Sequence, residues 1–129
     1  MSVKHQLGDL QLAIMRVLWA RGEASASEVH QALLDDRGLA VTTIKTMLRK
    51  MEDRGFVQHR ANGRQFIYRT RIEETDVRDG MVGDLVQRMF RGDGAALVNH
   101  LIEAGEVDAD ELDELRAQLS RKRKKKRKR

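Results

Sequence analysis

Apolar residues return along the first part of the chain at helical spacing. Over residues 9–20, Leu10, Ile14, Val17 and Leu18 recur every three or four positions and Gly22 follows as a stop, which predicts an amphipathic helix. Ser25-Ala26-Ser27-Glu28 then fits a capping box, with the Ser25 oxygen on the third backbone N–H and Glu28 reaching back; Ser27 serves equally well as the cap. A second, short helix runs to about residue 34 with Val29, Ala32 and Leu33 inward, and residues 35–38 break it. In the third helix Ile44, Met47, Leu48 and Met51 share one face and Gly55 ends the run. At about 100° per residue, Thr42, Lys45, Thr46, Arg49 and Lys50 fall on the opposite side.

After Gly55 the residue types change to β-formers. Phe56-Val57-Gln58-His59-Arg60 and Gln65-Phe66-Ile67-Tyr68-Arg69 flank Ala61-Asn62-Gly63-Arg64, whose Asn-Gly pair tolerates positive φ and signals a hairpin with a basic tip. Three helices and a hairpin within about 70 residues follow the order of a winged helix-turn-helix. A helix whose outer face offers Thr hydroxyls and Lys and Arg heads suits the DNA major groove, where base acceptors and phosphates lie. The hairpin would set Arg64 against the backbone or the minor groove.

The remaining third is apolar in stripes. Val77, Met81, Leu85 and Met89 fall every four residues, residues 95–104 form a second apolar stretch, and Asp108-Ala109-Asp110-Glu111 opens a helix with Leu112, Leu115 and Leu119 on one face. Three helices in about 45 residues enclose little core by themselves. Burial against a second copy of the chain is the economical solution, and two-fold symmetry would present two recognition helices to a palindrome. The expected fold is therefore mainly α with a small β-hairpin: an N-terminal winged helix at 1–72, a C-terminal helical dimerisation region at 73–120, and a disordered polybasic tail at 121–129.

Charge sharpens the picture. Of 25 basic residues nine fill positions 121–129, so the first 120 residues carry 16 basic against 20 acidic side chains. Within that acidic body, residues 41–71 hold eight cations (Lys45, Arg49, Lys50, Arg54, Arg60, Arg64, Arg69, Arg71) against Glu52 and Asp53, a local surface for a polyanion. The tail reads as a non-specific DNA tether or, more plainly, as a solvated run of mutually repelling charges. Cys and Pro are both absent and aromatics make up 4% of the chain, which removes disulfides and thiolate chemistry and disfavours a β-sandwich. No apolar run has the ~18 residues a membrane span needs, and residues 1–10 lack a signal-peptide stretch, so a cytoplasmic protein is expected.

Several stretches together resemble the penicillinase-repressor family of bacterial transcription factors. The resemblance spans residues 7–119 and is carried by LGDLQLAIMRVLW at 7–19, Ser-Glu-Val-His at 27–30, VTTIKTMLRKMEDRGFV at 41–57, GRQFIYR at 63–69 and GAALVNHLIE at 94–103. It implies a homodimer that binds a palindromic operator and represses transcription. Carried over by position, it implies a recognition helix at 42–54 with Thr43, Thr46 and Arg49 nearest the DNA, and Arg64 in the wing. It also implies, for β-lactam-responsive members, a sensor protease acting on an Asn-Phe junction in the dimerisation region, where this chain has Asn99-His100. The paired cysteines that hold Cu(I) in the copper-responsive branch have no counterpart here.

Plainer readings stand beside these. The Thr/Lys/Arg face taken alone is what any solvated helix presents. His5, His30, His59 and His100 show no ligand spacing, so no metal or cofactor is expected, and Trp19, Phe56, Phe66 and Tyr68 read as packing rather than as stacking platforms for bases. Glu106-Val107-Asp108-Ala109-Asp110 lacks the glycine and terminal glutamate of a calcium loop and suits a helix cap better. No phosphate-cradling glycine loop, metalloprotease signature or nucleophile elbow is present, so no enzyme is expected. The competing function is a winged-helix protein interaction module whose basic tail binds nucleic acid without sequence preference.

Overall fold

Each of the first three helices carries an apolar face that its neighbours cover. In the computed structural model, which describes residues 7–127, α1 (Asp9–Arg21) buries Ala13, Ile14, Met15 and Leu18. Ser25 caps α2 (Ala26–Arg37), and α3 (Val41–Asp53) buries Ile44, Leu48 and Met51. These side chains meet in one core with Ala26, Val29, Leu33, Phe56 and Val57. His5 and the last two basic residues, 128 and 129, lie outside the described residues.

α2 departs from its expectation in two ways. It continues to Arg37, where Gly38 ends it in the left-handed conformation, and Ala32 is exposed. The inward arc is centred on Val29 and takes in Ala26 and Leu33, three residues before and four after, which turns Ala32 outward. The choice between the two serines falls to Ser25: its Oγ accepts from the Glu28 N–H at 3.2 Å, and its own N–H donates to Glu28 Oε1 at 2.9 Å.

The hairpin pairs β2 (Val57–Asn62) with β3 (Gln65–Thr70) in antiparallel register from Val57↔Thr70 to Asn62↔Gln65. The loop is therefore Gly63-Arg64 and not Asn62-Gly63. Glycine holds the first loop position at φ 63°, the placement favoured in type II′ hairpins, so the demand for positive φ falls on one residue only. A third strand, β1 (Ala24–Ser25), pairs with β3 through Ala24↔Tyr68 and Ser25↔Ile67, giving the order β1-β3-β2. Two residues are too few to display a period, and this strand was not foreseen.

The chain divides at Gly83/Asp84, within α4 (Glu74–Phe90), and not at 72/73. The first turns of α4 belong to the winged unit, where Val77 is 1% exposed. Leu12, Trp19, Val77 and Met81 border one small cavity there, and the Trp19 indole N–H donates to the Ile72 carbonyl at 3.0 Å. Val77, expected in the dimer seam, is instead buried within its own chain.

The second unit holds the end of α4, α5 (Gly94–Glu103) and α6 (Ala109–Arg127). Asp93 caps α5 by accepting from the Ala96 N–H at 3.1 Å. Asp108 and Glu111 cap α6 reciprocally, at 2.8 Å and 3.1 Å, which is the cap expected in place of a calcium loop. The described part of the basic segment, 121–127, which was expected to be disordered, continues α6 as helix. Lys and Arg are good helix formers, the cap supplies the nucleus, and cations at a C-terminus face the negative end of the helix dipole. The Asn99-His100 peptide lies inside α5, and no helix among the described residues is long and apolar enough to cross a membrane.

The Ser25 backbone N–H, and then its hydroxyl, hold the Glu28 carboxyl below its ordinary range. A lowered folded-state pKa means that this contribution is complete above the unfolded carboxylate range and fades as pH falls through the folded one. Ser25→Ala is expected to lower stability by about 1 kcal/mol at neutral pH in urea unfolding of the whole chain. An unchanged unfolding midpoint would show that the cap contributes nothing.

Candidate nucleic-acid interface

Because Ile44, Leu48 and Met51 point into the core, the opposite side of α3 must face solvent. Thr42, Thr43, Lys45, Thr46, Arg49 and Lys50 are all exposed there. No side chain caps α3, and its first turn holds no acid, so the positive end of its dipole is not countered locally.

A cleft of about 340 Å³ opens between this helix and the hairpin. α3 contributes Lys45, Arg49 and Glu52; the hairpin contributes His59, Arg64 and Phe66; Ser25 and Ser27 reach it from the start of α2. The fold therefore brings together Lys45, Arg49 and Arg64 from positions far apart in sequence. Thr42, Thr43, Thr46 and Lys50 stay on the exposed helix face outside the cleft lining. Other cations of the basic segment are engaged elsewhere. Arg60 donates to Glu23 at 2.7 Å. With the Gln58 amide turned so that its oxygen faces Arg69, that oxygen accepts from Nε at 2.6 Å and Nη2 at 2.7 Å.

Three cleft residues escaped the sequence reading. Phe66 was expected to pack, yet it is 50% exposed. Phe66 shares the face of Tyr68, which reaches the core, but it lies two residues nearer the hairpin tip, where nothing covers it. The His59 ring stacks on Phe66 at 4.1 Å with a 21° interplanar angle, and its Nδ1 lies 2.7 and 2.8 Å from the two oxygens of Glu52. Tyr68, directly across from His59, is buried; burial pushes its hydroxyl up from the ordinary value, the Glu52 charge adds to this, and Arg49 opposes it. Its place two residues from the Gly63-Arg64 tip, beyond the reach of the helices, was the available signal for Phe66. For the pairing of His59 with Glu52 there was none, since it depends on how the hairpin folds over α3.

Of the residues expected in the dimer seam, Leu85, Met89, Leu115 and Leu119 are exposed, while Met81 and Leu112 are partly covered. Val98 and Ile102 of α5 add to the exposed set.

Comparison with known proteins agrees with this fold. The model of the penicillinase repressor family matches residues 7–121. The "Transcriptional regulator BlaI" of Mycobacterium tuberculosis is 34% identical over 117 residues, covering 89% of this chain and 83% of that protein. The "Methicillin resistance regulatory protein MecI" of Mammaliicoccus sciuri is 23% identical over 118 residues, covering 92% and 96%. Among solved structures, the DNA-binding domain of the repressor BlaI superposes with a TM-score of 0.52 at 32% identity, covering 59% of this chain and 93% of that domain. A mutant MarR from E. coli complexed with operator DNA gives a TM-score of 0.52 at 16% identity, a likeness of fold alone, over 90% of this chain and 75% of that one.

Proposed function

The chain belongs to the penicillinase repressor family, and we propose that it is a DNA-binding transcriptional repressor whose homodimer lays two copies of α3 into a palindromic operator. The observation that carries this reading is the convergence of Lys45, Arg49 and Arg64 on one cleft beside an exposed, threonine-rich helix face. Cations supply phosphate contacts, which set register without reading sequence. Specificity falls to groups that reach base edges: Arg49 can donate two bonds to a guanine, and the hydroxyls of Thr42, Thr43 and Thr46 can meet base acceptors or pack a methyl group against thymine. Lys45 and Lys50 act as point charges on the backbone, and Arg64 extends the contact from the hairpin tip to phosphate or the minor groove. The basic end of α6 adds attraction for any duplex.

The homodimer is supported by the second unit. None of its described side chains is buried, while Leu85, Met89, Val98, Ile102, Leu115 and Leu119 are all exposed. A unit with so many bare apolar side chains and no core of its own needs a partner surface, and a second copy supplies a matching one.

Arg49→Ala is expected to weaken binding to a duplex enriched from a randomised pool by roughly 1–3 kcal/mol and to relax preference at one base position per half-site. Equal weakening on all sequences would assign Arg49 to phosphate alone, and an absence of any enriched duplex would favour the interaction module. In sedimentation, Leu115→Asp is expected to shift the protein toward monomer, because it sets an unpaired charge in an apolar seam. A wild type that is monomeric at micromolar concentration, or a variant that stays dimeric, would contradict the seam.

A further inference from the structure

Glu52 is an anomaly in a cleft built to receive a polyanion. It stands among Lys45, Arg49 and Arg64, where a carboxylate repels phosphate, and its side chain is only 29% exposed. Its two oxygens instead hold His59 of β2, at 2.7 and 2.8 Å. The same imidazole stacks on Phe66 at 4.1 Å and lies 5.6 Å from Tyr68, both on β3. One ring thus joins the last turn of α3 to both strands of the hairpin, three residues from Arg49 on one side and near the Gly63-Arg64 tip on the other.

We propose that Glu52 and His59 are positioning residues that clamp the hairpin to α3 and so fix Arg64 relative to Arg49 on DNA. This rests on the DNA-binding reading above. A clamp conflicts with simple electrostatics over Glu52, and the conflict makes it testable. Removing an acid from a phosphate-binding cleft should tighten binding to every duplex. Removing a clamp loosens the geometry that a specific site requires.

Glu52→Ala is therefore expected to bind the enriched duplex roughly three- to tenfold more weakly than wild type while holding random duplex as tightly or more tightly. Glu52→Gln keeps an acceptor for the His59 N–H and should fall between the two. His59→Gln, which keeps a donor, should retain more affinity than His59→Ala, and Glu52→Ala/His59→Ala should be no weaker than the worse single variant. Backbone relaxation by NMR on the DNA-free full chain gives a second readout: amides at Gly63 and Arg64 should become more mobile in Glu52→Ala while those of α1 do not change. Failure to enrich any duplex would count against DNA recognition, and the relaxation data would still judge the clamp. Glu52→Ala binding the enriched duplex as tightly as wild type or better, with hairpin order unchanged, would overturn it.

Discussion

The molecule depends on α3 serving two environments at once. Ile44, Leu48 and Met51 anchor it in the core, and with these held the rotation of the helix about its axis is set. The outward direction of Thr42, Lys45, Thr46, Arg49 and Lys50 follows from that rotation, because residues three and four apart share a side. A change in the core face would therefore re-aim the chemical face. The rest of the winged unit serves the same end: α1 and α2 cover the apolar side, and the hairpin, fixed to α2 through β1 and to α3 through Glu52 and His59, brings Arg64 to the cleft.

The two units solve the burial problem differently. The winged unit closes a core containing Phe56, Ile14 and Leu48 within one chain. The second unit leaves Leu85, Leu115 and Leu119 bare, and its helices are held locally by the caps at Asp93 and Asp108. Caps fix where helices begin; they do not supply the apolar burial that stability requires. In the proposed homodimer, burial in the second unit would be completed between copies, which would couple occupancy of a two-fold site to chain concentration.

Much of this was legible along the chain because helical periodicity and caps are local. α1 and α3 follow from spacing alone, and so does the exposure of Thr42, Lys45, Thr46, Arg49 and Lys50; the Ser-x-x-Glu pattern announced a capped α2, with Ser25 and Ser27 both open as its cap. What escaped reading depended on contacts between distant segments. β1 exists only because β3 lies beside it, Val77 is core only because Trp19 and Leu12 are near it, and Phe66 is exposed only because the hairpin tip has no cover. The basic segment erred in the other direction: charge repulsion argued for disorder, while a capped helix already running carried the chain through it.

The central claim is that the exposed face of α3 and the hairpin tip together form the DNA-reading surface. Amide shift mapping of the full-length protein, titrated with a duplex enriched from a randomised pool, tests it most directly. The account predicts the largest changes along α3 from Thr42 to Lys50 and at Gly63 and Arg64, saturating at two chains per duplex. Changes confined to residues 121–127, with α3 and the hairpin unmoved, would contradict it.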